Sequence, residues 1–249
     1  MDIAIKHYDA KFKKDLNPKV GLIALSTDQT IEKDFKNICN NLPLDIFINR
    51  IHNQNPLTKE NLLKMREDLA SVTKKILPNE KLNTIAYGCT SGTIAIGENS
   101  IKEKILSVKP GSYVTTPVTS AIKAFNQLNI KKIALFTPYP ETVNKTILDY
   151  FNKKNIEVSS FASLNLNLDS EFANIDPNYI LDISSKLEMK NADALFISCT
   201  ALPVLNILSK LESKILKPVL SSNQTLIWDT LRSIGYKSPI KGYGKLLEN

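Results

Sequence analysis

The chain of 249 residues has 43% hydrophobic and 23% charged residues, an ordinary composition for a globular protein. It is long enough to bury a sizeable core in one large domain or two smaller ones. No apolar run approaches the roughly 18 residues of a membrane span, and the N-terminal region lacks the apolar core of an export signal. We therefore expect a cytoplasmic protein with no membrane partner. Three cysteines that lie far apart fit a reducing compartment and do not indicate a disulfide framework.

The net charge of +7 does not by itself indicate a polyanionic partner. Lysines dominate the basic residues, and they are scattered along the chain without interleaved aromatic residues. Nucleic-acid-binding surfaces concentrate basic residues in patches, so we expect no nucleic-acid partner. The weak basic field is compatible with a small anionic substrate.

Strand-like and helix-like patterns alternate along the chain. After an irregular leader over residues 1–18, the first half predicts strands at 20–25, 44–50, 82–86 and 113–116, and helices from 31 and over 58–77, 94–106 and 118–128. The second half predicts strands at 132–136, 158–161, 194–197 and 218–220, and helices over 142–151, 179–189, 205–211 and 226–234. Residues 165–178 form a looser stretch. Such alternation is typical of parallel sheets covered by helices, an α/β fold.

Three segments of the first half recur in the second. Residues 22–27 correspond to 133–138, a cysteine loop occurs in each half, and residues 114–117 correspond to 219–222. This duplication predicts two pseudo-symmetric lobes, with 18–120 and 223–249 in the N-terminal lobe and 121–222 in the C-terminal lobe. Ligands of open α/β sheets bind at the carboxyl ends of the strands, so we expect the active site in the cleft between the lobes.

The two cysteine loops are the strongest functional signal. Cys89 lies in the run YGCTSGT and Cys199 in the run ISCTA, each directly after an apolar strand. We expect both to lie where a helix begins, because backbone N–H groups there stabilise a thiolate. The same N–H groups and the hydroxyls of Thr90, Ser91 and Thr200 are suited to bind a carboxylate, or the enediolate formed from it. The pair predicts proton transfer on opposite faces of one carbon.

Other kinds of site have little support in the sequence. The two histidines, His7 and His52, are remote from both cysteine loops, and no CxxC or HxxxH spacing occurs, so we expect no metal. The glycines around Cys89 do not form GxGxxG, and we expect no dinucleotide or other cofactor.

Four motifs resemble the Asp/Glu racemase superfamily: the GCTSGT loop, the SCT loop, the TPY segment that begins at Thr137, and the SSNQT helix that begins at Ser221. Within the superfamily they are most similar to the maleate isomerase and arylmalonate decarboxylase branch. The TDQTIE and AYGCTS runs also resemble racemase-like proteins of ectoine utilisation. The resemblance extends from about residue 20 to the C-terminus.

The resemblance implies cofactor-free carbanion chemistry on a small carboxylic acid, with Cys89 and Cys199 as the catalytic pair. It further implies that Tyr139, like Thr90 and Ser91, binds the substrate, with Asn144 supporting the Tyr139 loop. In arylmalonate decarboxylase a glycine matches Cys89, so two thiols argue against decarboxylation. In maleate isomerase an asparagine that binds a substrate carboxylate matches Asp28, and here the sequence departs from the family.

Asp28 leaves two interpretations open. An ionised carboxylate would repel a substrate carboxylate and attract an ammonium or amide N–H group; alternatively, Asp28 caps the helix that begins near Ile31. The leading hypothesis is therefore racemisation of an amino or acylamino acid. The alternatives are maleate-type cis–trans isomerisation of a dicarboxylate and non-catalytic binding of a small acid. We also expect a homo-oligomer.

Overall fold

The computed structural model describes residues 3, 5–14 and 16–249. Parts of the predicted leader, residues 1, 2, 4 and 15, lie outside the described residues, and those described before residue 19 form neither helix nor strand. The first half then contains β1 (Lys19–Leu25), α1 (Ile31–Cys39), β2 (Asp45–Ile51), α2 (Lys59–Lys74), β3 (Thr84–Gly88), α3 (Thr90–Ile96), α4 (Glu98–Leu106), β4 (Tyr113–Thr115) and α5 (Pro117–Gln127).

The second half repeats the pattern. It contains β5 (Lys132–Thr137), α6 (Glu141–Lys153), β6 (Glu157–Ser163), α7 (Asp169–Ala173), α8 (Pro177–Ser185), β7 (Ala194–Ile197), a short 3₁₀ helix (Leu205–Ile207), α9 (Leu208–Ile215), β8 (Val219–Ser221), α10 (Ser222–Ser233) and α11 (Lys245–Glu248). None of the helices in the described ranges combines the length and apolar character that a bilayer span requires.

Two four-stranded sheets have the same topology. Their strand orders are β2-β1-β3-β4 and β6-β5-β7-β8, and all neighbouring strands are parallel. The central strands β3 and β7 are buried along their whole length, as expected for parallel strands covered by helices on both faces. The structure confirms the α/β fold of two duplicated lobes.

The helices that follow the last strand of each sheet pack across the boundary between the lobes. α5 and α10 pack against each other, and α10 also contacts β3 and β4 of the first sheet. Conversely, Phe125 of α5 contacts the Phe196 ring of β7 edge-on, with centroids 5.4 Å apart. The division into lobes of 18–120 with 223–249 and of 121–222 stays a prediction.

Equivalent capping boxes begin α5 and α10. The Thr116 hydroxyl accepts from the Thr119 backbone N–H, and the Ser221 hydroxyl accepts from the Gln224 backbone N–H at 3.2 Å. Each N-cap satisfies a backbone donor that the first helical turn leaves free. The recurrence of residues 114–117 at 219–222 is therefore a repeated strand-to-helix junction.

The structure differs from the predicted elements in two places that matter for the site. The expected helix 94–106 is divided into α3 and α4 at Gly97, whose φ of +89° favours glycine. α7 lies within the stretch 165–178, where no element is predicted. With five residues, it is too short for a helical periodicity to stand out in the sequence.

A buried acid in α1 joins elements from both lobes. The Asn223 side chain of α10 donates to Asp34 Oδ2 at 2.8 Å and to the Thr200 carbonyl at 2.7 Å. Burial raises the pKa of Asp34 to about 7, although the bond from Asn223 lowers it; the nearby Asp28 carboxyl adds to the rise. In the folded protein, the Asp34 carboxyl therefore ionises at a higher pH than an exposed aspartate does.

We expect Asp34→Asn to stabilise the protein at pH 8 but much less at pH 5. The unfolded chain ionises near its ordinary pKa of about 3.9, so the folded state loses stability as the pH rises from about 4 to 7. A shift of about three units corresponds to at most about 4 kcal/mol of unfolding free energy. Asparagine keeps an acceptor for Asn223 and removes the ionisation. Urea denaturation at both pH values measures the difference.

Asp182→Asn serves as the control, because Asp182 is an exposed acid paired with Lys186 at 2.6 Å. We expect no gain in its unfolding free energy between pH 5 and pH 8. An Asp34→Asn gain that is the same at both pH values would contradict the buried-acid explanation.

Candidate active site

Cys89 lies at the junction of β3 and α3, as the sequence predicts. It is the N-cap of α3, and its Sγ accepts a hydrogen bond from the Gly92 backbone N–H at 3.2 Å. Gly92 leaves the space that the thiol occupies, since a Cβ there would lie 2.7 Å from Cys89 Sγ and 2.8 Å from the Tyr87 hydroxyl. The run GCTSGT thus forms a cap in which the sulfur replaces the usual hydroxyl oxygen.

Burial dominates the acidity of the Cys89 thiol. Burial raises the pKa of the thiol to about 12, although the hydrogen bond from the Gly92 backbone N–H lowers it. The Asp169 and Asp28 carboxyls raise the pKa further. One backbone N–H therefore does not compensate for desolvation, and the thiol is protonated at neutral pH in the unliganded protein.

Cys199 follows β7, but no α-helix begins directly after it, contrary to the prediction. The chain turns through residues 200–203 and reaches the 3₁₀ helix only at Leu205. Pro203 accounts for the delay, because a proline disfavours the helical conformation of the residue before it. Burial raises the pKa of Cys199 well above its ordinary value, and the Asp169 carboxyl adds to the rise. The Tyr139 hydroxyl and the Ala201 backbone N–H lower it.

Tyr139 lies beside both thiols. Burial raises the pKa of its hydroxyl, and the Cys199 and Cys89 thiols contribute to that rise. Asn144 braces this loop, because its amide nitrogen donates to the Tyr139 carbonyl at 2.7 Å and to Ser163 Oγ at 2.9 Å. Its oxygen accepts from the Thr137 hydroxyl at 2.6 Å. These bonds use both amide hydrogens, so we propose that Asn144 positions Tyr139 and does not itself bind substrate.

The three hydroxyl residues predicted from the cysteine loops are brought to the same region. Thr90 donates to Ser222 Oγ at 3.0 Å, and the Ser91 hydroxyl lies 3.9 Å from Cys89 Sγ. The Thr200 hydroxyl donates to the Gly88 carbonyl at 3.4 Å, which connects the second cysteine loop to the strand before the first. All three side chains are buried. Of the three, only the Ser91 hydroxyl has a contact with a thiol in this conformation.

Asp28 caps α1 and also faces the thiols, so its two interpretations are compatible. Its Oδ1 accepts from the backbone N–H groups of Thr30 at 2.7 Å and Ile31 at 2.9 Å. The carboxyl contributes to the raised pKa of both Cys89 and Cys199. Burial raises the pKa of Asp28 itself, against those two N–H groups, which lower it.

Sequence reasoning missed Asp169, the first residue of α7. Its Oδ2 accepts from Asn53 Nδ2 at 3.0 Å and from the Thr27 hydroxyl, both in the first lobe. Its carboxyl raises the pKa of both thiols, after the effect of burial. Acidic residues are common in the first turn of a helix, and that signal is present in the run DSE. Its partners are 116 and 142 residues away, and no local pattern indicates them.

The site is closed in this conformation. Asp28, Cys89, Tyr139 and Cys199 each expose no more than 4% of their surface. Substrate entry therefore requires the surrounding loops to move. Across residues 3, 5–14 and 16–249, no three His, Cys, Asp or Glu side chains converge in a way that could hold a metal ion.

Comparison with known proteins identifies the family. The arylmalonate decarboxylase family model matches residues 98–247, more than half of the chain. A maleate isomerase from Geobacillus stearothermophilus is 26% identical over 243 residues, covering 92% of this chain and 96% of the relative. The arylmalonate decarboxylase of Bordetella bronchiseptica is 24% identical over 137 residues, covering 54% of this chain and 57% of the relative.

Solved structures show the same fold. The maleate isomerase Iso from Pseudomonas putida superposes with a TM-score of 0.86 at 22% identity, covering 93% of this chain and 98% of that one. A mutant of the Nocardia farcinica maleate cis-trans isomerase, with a covalently bound succinylcysteine intermediate, has the same TM-score and coverage at 19% identity.

These findings confirm the branch of the Asp/Glu racemase superfamily that the motifs indicate. None of the relatives named above is a protein of ectoine utilisation, so that part of the resemblance stays a prediction. The family model spans Cys199 and begins after Cys89, and the Nocardia farcinica relative carries a covalent intermediate on a cysteine. The chain is an enzyme and belongs to the arylmalonate decarboxylase family.

Proposed function

We propose that this enzyme is a cofactor-independent cis–trans isomerase of a small unsaturated carboxylic acid, with Cys89 and Cys199 as its catalytic pair. The observation that carries the proposal is that two buried thiols belong to loops that meet, because the hydroxyl of Thr200, next to Cys199, donates to the carbonyl of Gly88, next to Cys89, at 3.4 Å. The similarity to maleate isomerases over 92% of the chain supports this alternative over the racemase hypothesis that the sequence analysis places first.

Cys89 is the proposed nucleophile. Its Sγ accepts the Gly92 N–H at 3.2 Å at the N-terminus of α3, a position that favours a thiolate, whereas no α-helix begins directly after Cys199. The thiol that ionises more readily is the better candidate for addition. Cys199 then remains protonated beside the Tyr139 hydroxyl and is placed to donate a proton.

The proposed reaction begins when the Cys89 thiol loses its proton to solvent. The resulting thiolate adds to one carbon of the cis double bond, and the electron pair of the π bond moves toward the acyl group at the other end. The Cys199 thiol delivers a proton to the neighbouring carbon. Rotation about the new single bond follows, after which Cys199 recovers the proton, the C–S bond breaks and the trans double bond forms. Both thiols return to their starting states.

The surrounding hydroxyls hold the acid during this sequence. We propose that Tyr139, Thr90, Ser91 and Thr200 donate hydrogen bonds to one carboxylate and to the negative charge that develops on it. Donors that are already in place and shielded from water stabilise such a charge strongly, and removal of one typically lowers the rate about 10²–10³-fold.

We expect Cys89→Ala and Cys199→Ala each to reduce isomerisation at least about 10²–10⁴-fold, the usual contribution of an acid–base group. In Cys199→Ala an adduct on Cys89 that takes its proton from water should accumulate, because the thiol that removes this proton before the C–S bond breaks is missing. Proton NMR with maleate and its monoamide as substrates measures turnover, and intact-protein mass spectrometry detects a mass gain of one substrate molecule.

Cys39→Ala is the matched control, since Cys39 is the third buried cysteine and lies at the end of α1, outside the site. It should keep its activity. Full turnover by Cys89→Ala, or an adduct mapped to Cys199 in the wild type, would contradict the assignment. Exchange of the Cα proton of an amino acid with deuterated solvent, without isomerisation of any alkene, would restore the racemase hypothesis.

The raised pKa of Cys89 predicts the pH profile. In the free enzyme the nucleophile forms only when the thiol loses its proton, so the thiolate fraction rises about tenfold per pH unit below pH 12. We expect kcat/KM, which reports the free enzyme, to rise with a slope near one in a logarithmic plot between about pH 6.5 and 9. A plateau below pH 8 would show that the nucleophile ionises more readily than its burial implies.

A further inference from the structure

The Asp28 carboxyl has one buried oxygen without a partner. Its Oδ1 is satisfied by two backbone N–H groups, whereas Oδ2 has no hydrogen-bond partner among the described residues. The Thr200 hydroxyl lies near the carboxyl and lowers its pKa, but it meets the geometry of a hydrogen bond only with the Gly88 carbonyl, at 3.4 Å. An unpartnered buried acceptor is unfavourable, so Oδ2 marks a place where a ligand donor would bind.

A second carboxyl lies on the same site. Asp169 approaches both thiols from α7, and its bonds to Thr27 and Asn53 hold it there. The region beside the thiols therefore contains two acids. In the ionised form such a region repels a carboxylate and attracts N–H groups, and an N–H donor that binds there favours the ionised form against burial, which raises the pKa of both acids.

No arginine of the chain compensates for these acids. Arg50 donates to the Asp28 backbone carbonyl at 2.9 Å and pairs with Glu32 at 2.7 Å. The remaining contacts are those of Arg66 with Ser100 Oγ and of Arg232 with the backbone carbonyls of Tyr236 and Asn249. Arginine often binds a carboxylate through two parallel N–H bonds, but all three arginines of this chain bond to other groups.

The duplication makes the two ends of the site unlike. Residues 22–27 correspond to 133–138 in the repeat, so the next residues, Asp28 and Tyr139, occupy equivalent places after β1 and β5. One presents a hydroxyl, which can donate to a carboxylate, and the other a carboxyl oxygen that lacks a donor. A substrate with two identical carboxylates does not match this asymmetry.

On the basis of the proposed isomerase function, we propose that the substrate is the monoamide of a cis-unsaturated dicarboxylic acid, whose amide NH₂ group binds Asp28 beside Asp169. An amide donates to Oδ2 without adding a negative charge beside the two acids, and the electron pair that thiolate addition displaces moves toward the carboxylate at the other end. The free carboxylate of the monoamide binds at the Tyr139 end.

The test compares maleate with maleamate, its monoamide, by proton NMR of the cis and trans alkene signals. We expect the wild type to prefer maleamate in kcat/KM by roughly 10- to 150-fold, the range for a charge-assisted hydrogen bond. Asp28→Asn keeps an acceptor for Thr30 and Ile31 and replaces the free oxygen by an NH₂ donor. We expect it to shift the preference toward maleate by a similar factor, and Asp169→Asn to shift it in the same direction.

Asp34→Asn is the matched control. It neutralises another buried carboxyl of α1, one that is bonded to Asn223 and is not among the groups that raise the pKa of the thiols. It should leave the maleamate-to-maleate ratio unchanged. An equal shift in this variant would overturn the specific role of Asp28.

The outcomes separate this inference from the proposed function. If the wild type isomerises maleate at least as well as maleamate and Asp28→Asn leaves the ratio unchanged, the inference is wrong while the isomerase proposal stands. A preference for maleate that decreases as the pH rises, and loses this pH dependence in Asp28→Asn, would instead identify a protonated Asp28 that donates to a carboxylate; it would also overturn the inference. If neither compound is isomerised and no adduct forms in Cys199→Ala, the proposed function itself fails.

Discussion

The hydrogen bonds that Asp169 accepts from Thr27 and Asn53 join the two lobes at the level of the thiols. A buried carboxyl that loses such partners retains its desolvation penalty without compensation, typically about 1–3 kcal/mol and more for a charged group. The lobes are thus held in one arrangement by a contact that also contributes to the electrostatic environment of Cys89 and Cys199. Bonds from Asn223 to Asp34 and to the Thr200 carbonyl strengthen the same junction.

Desolvation outweighs hydrogen bonding at the thiols. Cys89 has the environment that normally acidifies a cysteine, a helix N-cap with a backbone N–H on its sulfur, yet its pKa is raised by burial and by two neighbouring carboxyls. The protonated state that results is less easily oxidised, because the thiolate is the reactive form. In this protein, burial of the site therefore keeps the thiols in their less reactive form.

The duplicated fold places the two cysteine loops, whereas the individual side chains on it determine which substrate can bind. The matching strand orders bring two loops with the same sequence pattern to the boundary between the lobes, and that arrangement is shared with isomerases and a decarboxylase. A fold that supports several reactions does not determine the substrate. In the repeat, Tyr139 occupies the place of Asp28, so the two lobes present different side chains at equivalent positions. That difference lies in the residues and not in the fold.

The sequence alone determined the alternation of strands and helices, the duplication and the place of the two cysteine loops. Each of these depends on local spacing or on direct self-similarity within the sequence. A buried strand of an α/β fold appears in the sequence as an apolar run that ends in a polar loop. It could not determine the role of Asp169, the bracing of Tyr139 by Asn144 or the free oxygen of Asp28. Those depend on which atoms meet across lobe boundaries and loops, and partners more than a hundred residues apart leave no periodic signal. Even the start of the helix after Cys199 was decided by a local exception, Pro203, within an otherwise repeated pattern.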